Sequence, residues 1–224
     1  MNSNKQEIQI KDLKIDENIA YFLGVLHSDG CIYFFNDKKK NRLIIRLILQ
    51  VGTKSIPMAI QFKKILLDYF GKKVNLRKIP HKNLYVIQTS INRVWHLFKH
   101  WNKYQIPGKI KNDIILFGAY LTGIIDGDGH IKIKNNKDRL IPQCMVRITS
   151  GCRLEEIKKL IEYYFNCKVH FEYYKDKKAV DTCFYVSNRN LKLITKYIYP
   201  HILLPYKKLR LKKFINMKNE PVRI

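Results

Sequence analysis

Acidic residues are scarce in this chain of 224. Asp and Glu number 18 against 43 Lys and Arg, a formal charge of +25. A surplus of that size, spread over both halves, points to a polyanionic partner, nucleic acid above all. A membrane surface fits less well, because the basic residues sit in mixed strands and helices and not on one amphipathic helix. A cysteine framework is also missing. Cys31, Cys144, Cys152, Cys167 and Cys183 are odd in number and no C-x-x-C occurs, so neither a disulfide scaffold nor a zinc ribbon is supported. They read as thiols in a reducing compartment. No apolar run approaches the length of a membrane span, and the polar stretch Met1 to Lys14 does not read as a secretory signal. The expectation is an intracellular protein, in a microbial cytoplasm or an organelle. Low-complexity sequence is absent too, and 46% of the residues are apolar, enough for a real core.

What the chain does contain is a repeat. Phe22-Leu-Gly-Val-Leu-His-Ser-Asp-Gly30 and Leu121-Thr-Gly-Ile-Ile-Asp-Gly-Asp-Gly129 are both apolar helical runs ending in a small residue, Asp and Gly. Strand-like runs follow each, Cys31 to Phe35 and Arg42 to Val51 in the first half, His130 to Lys134 and Ile141 to Thr149 in the second. Pro57 to Phe70 and Leu154 to Phe165 read as helices, the first with Pro57 in its opening turn and Gly71 as its stop. Further strands are expected at Val74 to Ile79, Leu84 to Ser90, Lys168 to Tyr174 and Thr182 to Ser187. Helices are expected at Arg93 to Lys103 and Leu191 to Tyr199, before a last basic segment, Tyr206 to Met217. Each half is thus α-β-β-α-β-β-α, an internal duplication. The predicted division is an N-terminal extension over 1–15, a first half over 16–112 and a second over 113–224, with a short linker at Pro107 to Asn112.

The motif itself carries chemistry. Gly24 and Ser28, like Gly123 and Gly127, are four apart and lie on one helix face, where small side chains let two backbones approach. Two such helices pressed together bring Asp29 and Asp128 side by side at their C-terminal ends. Gly30 and Gly129 suit the left-handed position that ends a helix. An Asp at a helix C-terminus opposes the helix dipole, and two converging acids repel each other. A divalent cation relieves both problems, and hard oxygen ligands suit Mg²⁺. A plain Asp-Gly turn is the bland alternative for one copy; two copies on matching helices weigh against it.

On these residues the sequence resembles the LAGLIDADG homing endonucleases, in the single-chain form with two motif copies. Leu121 to Gly129 is the close match; the first copy has His27 where the family often has its earlier Asp. The resemblance implies an α+β fold of two pseudo-symmetric halves, with antiparallel sheets forming a DNA-binding saddle and the motif helices at the interface. It implies metal binding by Asp29 and Asp128, helped by the backbone carbonyls of Ser28 and Gly127. Two or three Mg²⁺ ions are implied, with Mn²⁺ substituting, and one phosphodiester hydrolysed on each strand. The family's auxiliary polar residue at the end of the second strand falls on Thr53 and Ser150, and its lysine after the last helix on Lys109 and Lys207, with Lys208 close by. The partner implied is a long, asymmetric double-stranded DNA site, bound by a monomer encoded in an intron. An intron RNA maturase of the same fold and a non-catalytic DNA-binding regulator are the alternatives.

Strand alternation sorts the saddle face from the core. Ile45, Leu47, Leu49, Val51, Cys144, Val146 and Ile148 are expected inward. Tyr33, Phe35, Arg46, Ile48, Gln50, Asn75 and Arg77 are expected on the DNA side of the first half. Lys132, Lys134, Gln143, Met145, Arg147, Thr149, His170 and Glu172 are expected there in the second. Arg, Gln, Asn and Glu suit base edges, and Lys suits phosphates. His96 and His100 have zinc-compatible spacing but no third ligand, and read as a polar helix face.

Overall fold

The structure, a computed structural model, describes residues 14–37, 42–91, 105–134, 142–173 and 178–219. The first apolar run folds as α1 (Glu17–Ser28), started by the Asp16 carboxylate, which accepts the Ile19 amide at 3.0 Å. β1 (Gly30–Asp37) and β2 (Arg42–Gly52) follow as an antiparallel pair, then α2 (Ile56–Phe70). Pro57 stands in the first turn of α2 and Gly71 ends it with φ of 62°, as the sequence predicts. β3 (Arg77–Lys78) and β4 (Leu84–Ile91) complete a four-stranded sheet of order β1-β2-β4-β3. A one-turn helix, α3 (Gly108–Lys111), occupies the segment expected as a linker.

The second half repeats the plan. α4 (Ile114–Asp128), capped by Asp113, leads into β5 (Gly129–Lys134) and β6 (Gln143–Ser150). Then come α5 (Glu155–Phe165), β7 (Val169–Tyr173), β8 (Val180–Val186), α6 (Asn188–Tyr197) and α7 (Pro205–Asn219). The second sheet has order β5-β6-β8-β7, the same path as the first. The α+β architecture with two like sheets is therefore as expected.

The core lies between the sheets and the two motif helices. Ile45, Leu47, Leu49 and Val51 point into it from β2, and Cys144, Val146 and Ile148 from β6. α1 and α4 are buried almost throughout, which is why both are apolar on every side. The third strand of the first half is shorter than predicted. Val74 is buried and lines a groove with Leu76, Ile60 and Leu67 of α2, so the chain joins the ladder only at Arg77. Asn75 thus lies outside any strand, exposed, and not on the ladder where it was expected. The helix expected at 93–103, with His96 and His100, lies outside the described residues, as does most of the proposed N-terminal extension.

Candidate active site

The small-residue faces put α1 and α4 in backbone contact. A methyl group on Gly24 would stand 2.0 Å from the Tyr120 carbonyl oxygen, and one on Gly123 would stand 2.3 Å from that of Tyr21. Tyr21 and Tyr120 are equivalent positions of the two copies, so the contact is pseudo-symmetric. One turn further, a methyl on Gly127 would meet Ser28 Oγ at 2.1 Å and the Asp29 carboxyl carbon at 3.4 Å. Asp29 caps α1 and Asp128 is the last residue of α4, so the two acids end neighbouring helices at the same place. Both helix dipoles present their negative ends there.

Gly30 and Gly129 do not have the left-handed backbone expected of them. Among the described residues Gly71 is the one glycine with positive φ, and Gly129 is extended (φ −86°, ψ 153°). Their need for glycine is steric: a methyl would fall 2.5 Å from Leu26 Cα at Gly30 and 2.4 Å from the Ile125 oxygen at Gly129.

Lys207, near the start of α7, is 2% exposed. Its ammonium donates to the carbonyls of Ile125 (2.6 Å), Asp126 (2.7 Å) and Gly127 (3.4 Å), the last turn of α4. Burial lowers its pKa to about 8, opposed by the charges of Asp126, Asp29 and Asp128. Lys208 turns away, toward the Pro200 carbonyl and the Tyr199 ring. Of the two lysines, Lys207 is thus the one directed to the end of α4. Lys109, its counterpart on α3, is exposed. Thr53 is exposed in the 3-10 turn after β2. Ser150 does not fit an auxiliary role: it is 6% exposed, and its hydroxyl donates to the Cys152 carbonyl at 2.5 Å. A short side chain at a strand end bonds its own turn before it can reach a neighbouring site.

Several further residues surround the acids. Asp126 is fully buried; its Oδ2 accepts Tyr21 Oη and the Leu203 amide, each at 2.9 Å. Burial raises its pKa, opposed by those two hydrogen bonds and by Lys207. His27, at the matching place in α1, is buried with Nδ1 2.5 Å from Tyr120 Oη. Arg210 of α7 donates to the Ile131 carbonyl at 3.1 Å. Beside it, desolvation and the charges of Arg210, Arg147, Lys207 and Lys132 push the His130 imidazole below its ordinary value.

The saddle faces flank this centre. On the first sheet Tyr33, Gln50 and Arg77 are exposed, while Phe35, Arg46 and Ile48 are half-buried, with the Arg46 guanidinium 4.8 Å from the Phe35 ring centre. On the second, Lys132, Lys134 and Thr149 are exposed, and Gln143, Arg147, His170 and Glu172 are half-buried. Met145 is fully buried, contrary to its expected place on the DNA side. Its cross-strand neighbours are Lys132 and Tyr185, and the Tyr185 ring stacks on His170, so long side chains wall the thioether in. Arg147 is already engaged, its Nη2 2.8 Å from Glu172 and its Nε 3.0 Å from Asp181. Thr149 Oγ1 donates to the other Asp181 oxygen at 2.7 Å. Asp181, missed in the sequence because it lies one residue before the expected strand, organises this face.

Comparison of the whole fold with solved structures gives the decisive match. I-DmoI in complex with DNA and Ca superposes with a TM-score of 0.60 at 16% identity, covering 88% of this chain and 97% of that one. The LAGLIDADG homing endonuclease I-LtrWI bound to target DNA gives 0.54 at 16% identity, covering 92% and 90%. The chain has the LAGLIDADG homing-endonuclease fold. The meganuclease I-SmaMI bound to uncleaveable DNA shares that fold too, with a TM-score of 0.56 at 11% identity over 92% and 91%. No family model matches the sequence, and no curated protein matches it. The fold is thus shared at 11–16% sequence identity.

Proposed function

We propose that this protein is a site-specific DNA endonuclease that binds a long, asymmetric duplex as a monomer and hydrolyses one phosphodiester on each strand. One observation carries the reading: two duplicated helices in backbone contact end in Asp29 and Asp128 at one place, between two sheets, in a chain of charge +25. Halves at 16–112 and 113–224 would each cover one half-site. The saddle faces are unlike, with Tyr33, Phe35 and Ile48 beside Arg46, Gln50 and Arg77 on the first sheet and Lys132, Lys134, Arg147, His170 and Glu172 on the second, which favours an asymmetric target.

The donor set fits hard divalent ions. Asp29 and Asp128, with the Ser28 and Gly127 carbonyls, would hold them, and the negative helix ends leave an excess of negative potential there. Bound there, Mg²⁺ or Mn²⁺ would supply charge neutralisation at the scissile phosphates and an acidified water. The residues do the rest. Lys207 holds a positive charge beside both acids, suited to stabilising negative charge on a reacting phosphate. Lys109 is assigned the same task for the other strand, and exposed Thr53 ordering of solvent. Lys132, Lys134 and Arg77 suit phosphate contacts, while Gln50 and Gln143 suit base edges, and Arg147 would do so only by leaving Glu172.

The test is selection of cut sites from a randomised duplex library with Mg²⁺, against an EDTA control. A discrete family of long sites, cut on both strands and absent with EDTA, is expected. D29N and D128N should each abolish double-strand cutting while retaining binding. Failure to recover any cut site, or full activity in both variants, would count against the nuclease.

A further inference from the structure

The two halves differ where the chemistry needs them alike. Tyr21 and Tyr120 are equivalent, and each reaches across to the opposite motif helix, Tyr21 to Asp126 and Tyr120 to His27. The parallel then stops. Asp126 has a second lobe of work: the same Oδ2 takes the amide of Leu203, on the segment that runs into α7. Two residues into that helix Lys207 turns back and binds the backbone carbonyl of Asp126 itself, at 2.7 Å. Asp126 therefore holds the lysine at both ends, through its carboxylate at the entry to α7 and through its carbonyl at the ammonium.

In the first half an imidazole replaces that carboxylate. The segment entering α3 is tied elsewhere: the Ile106 amide donates to Oε2 of Glu156 on α5 at 3.2 Å, and Lys111 pairs with the same carboxylate. Lys109 is exposed beside them.

We infer that Asp126 is a positioning residue that presets Lys207 in the DNA-free protein, so the two strands are served unequally and the strand attended by Lys207 is cut first. The inference rests on the nuclease reading for its consequence, but not for the presetting itself. A lysine ordered during folding has already lost its rotamer freedom, whereas Lys109 must lose it on the substrate. That difference is worth roughly 10- to 30-fold in rate.

Amine acetylation of the DNA-free full-length protein, read by mass spectrometry, tests the presetting without any activity. Lys207 is expected to react at least about tenfold more slowly than Lys109. D126A, which removes the carboxylate tie to Leu203 but keeps the backbone carbonyls, should raise the Lys207 rate several-fold toward that of Lys109 while buried Cys144 stays inert to a thiol reagent, marking a local change. D126N, which keeps an acceptor for the Leu203 amide, should fall between. Equal acetylation of Lys207 and Lys109 in the unaltered protein overturns the inference, as does an unchanged Lys207 in both variants. On a recovered site with each strand labelled, one strand should be nicked about ten times faster. K207M should slow that strand, and K109M the other. Equal nicking of both strands overturns the inference and leaves the nuclease standing; no cutting of any site overturns both.

Discussion

Substituting Gly123 by Ala tests the helix contact on which the site depends. Two effects oppose each other. Ala favours a helix over Gly by about 0.8–1 kcal/mol. Against this, the added methyl falls 2.3 Å from the Tyr21 oxygen and 2.9 Å from the Val25 nitrogen, both backbone atoms of α1. No rotamer change relieves such a clash, so the helices must separate. Overpacking in a close-packed core costs typically 1–3 kcal/mol, and a backbone obstacle belongs at or above the upper end. The net expectation is a loss of about 2 kcal/mol, or roughly 4–8 °C in Tm for a chain of this size. Denaturant and thermal unfolding measure it. G52A is the control, since a methyl there meets nothing within 4 Å and the residue has φ of −75°; it should stay within about 0.5 kcal/mol. Because α1 and α4 carry Asp29 and Asp128, G123A should also reduce cutting by about 10²-fold, the effect of a displacement on the order of 1 Å. A G123A protein as stable as the unaltered one, or more so, would show that helix propensity wins and that the two backbones do not touch.

Thiol reactivity should divide the five cysteines. Burial pushes Cys144 and Cys167 up to about 12 and Cys183 to about 11, while Cys31 and Cys152 are exposed, so a thiol reagent at pH 8 should titrate two groups quickly. Three or more fast thiols without denaturant would contradict this packing. Lys207 should leave a mark on stability at alkaline pH. Its folded value, about 8, lies below the ordinary 10.5, so between those values the unfolded chain holds a proton the folded chain has released. Stability contributed by this group therefore rises with pH across that window, by at most about 1.4 kcal/mol per unit, and K207M should flatten the rise. Parallel profiles would refute the buried placement. On the saddle, R147M removes the guanidinium that stands 3.0 Å from the Asp181 carboxylate, itself 1% exposed. A loss of about 1–3 kcal/mol is expected, discounted because Arg147 is itself partly solvated. Adding D181N should recover at least about 1 kcal/mol, and additive losses in a double-mutant cycle would argue that the pair is incidental.

What the sequence shows of this fold is what local periodicity records. Alternation in Arg46-Leu-Ile-Leu-Gln50 separates core from saddle because β2 is buried on one face only. The same rule fails at Met145, where long neighbours on both adjacent strands close over the outer face as well. The duplicated small residues reveal the helix contact, since an i, i+4 pair lies on one face whatever surrounds it. The role of Gly30 and Gly129 was not legible in the same way: crowding against the preceding helical turn and a left-handed turn both select glycine, and only coordinates distinguish them. Lys207 could be reached from its place after Leu203-Leu-Pro-Tyr, but its neighbour Lys208 has the same chemistry, and only the rotation of α7 shows which of them faces the end of α4. Asp126 is the deepest case. Within the motif it looks like a spare acid, because its partner Leu203 is 77 residues away and offers only a backbone amide, which no side chain in the sequence announces. Replacing that acid by His27 in the first copy then reads as harmless drift. In the folded chain the exchange separates a half whose lysine is tied at both ends from one whose lysine is exposed. The same duplication that built two equal acids therefore set its two lysines in unlike surroundings, one buried and one exposed.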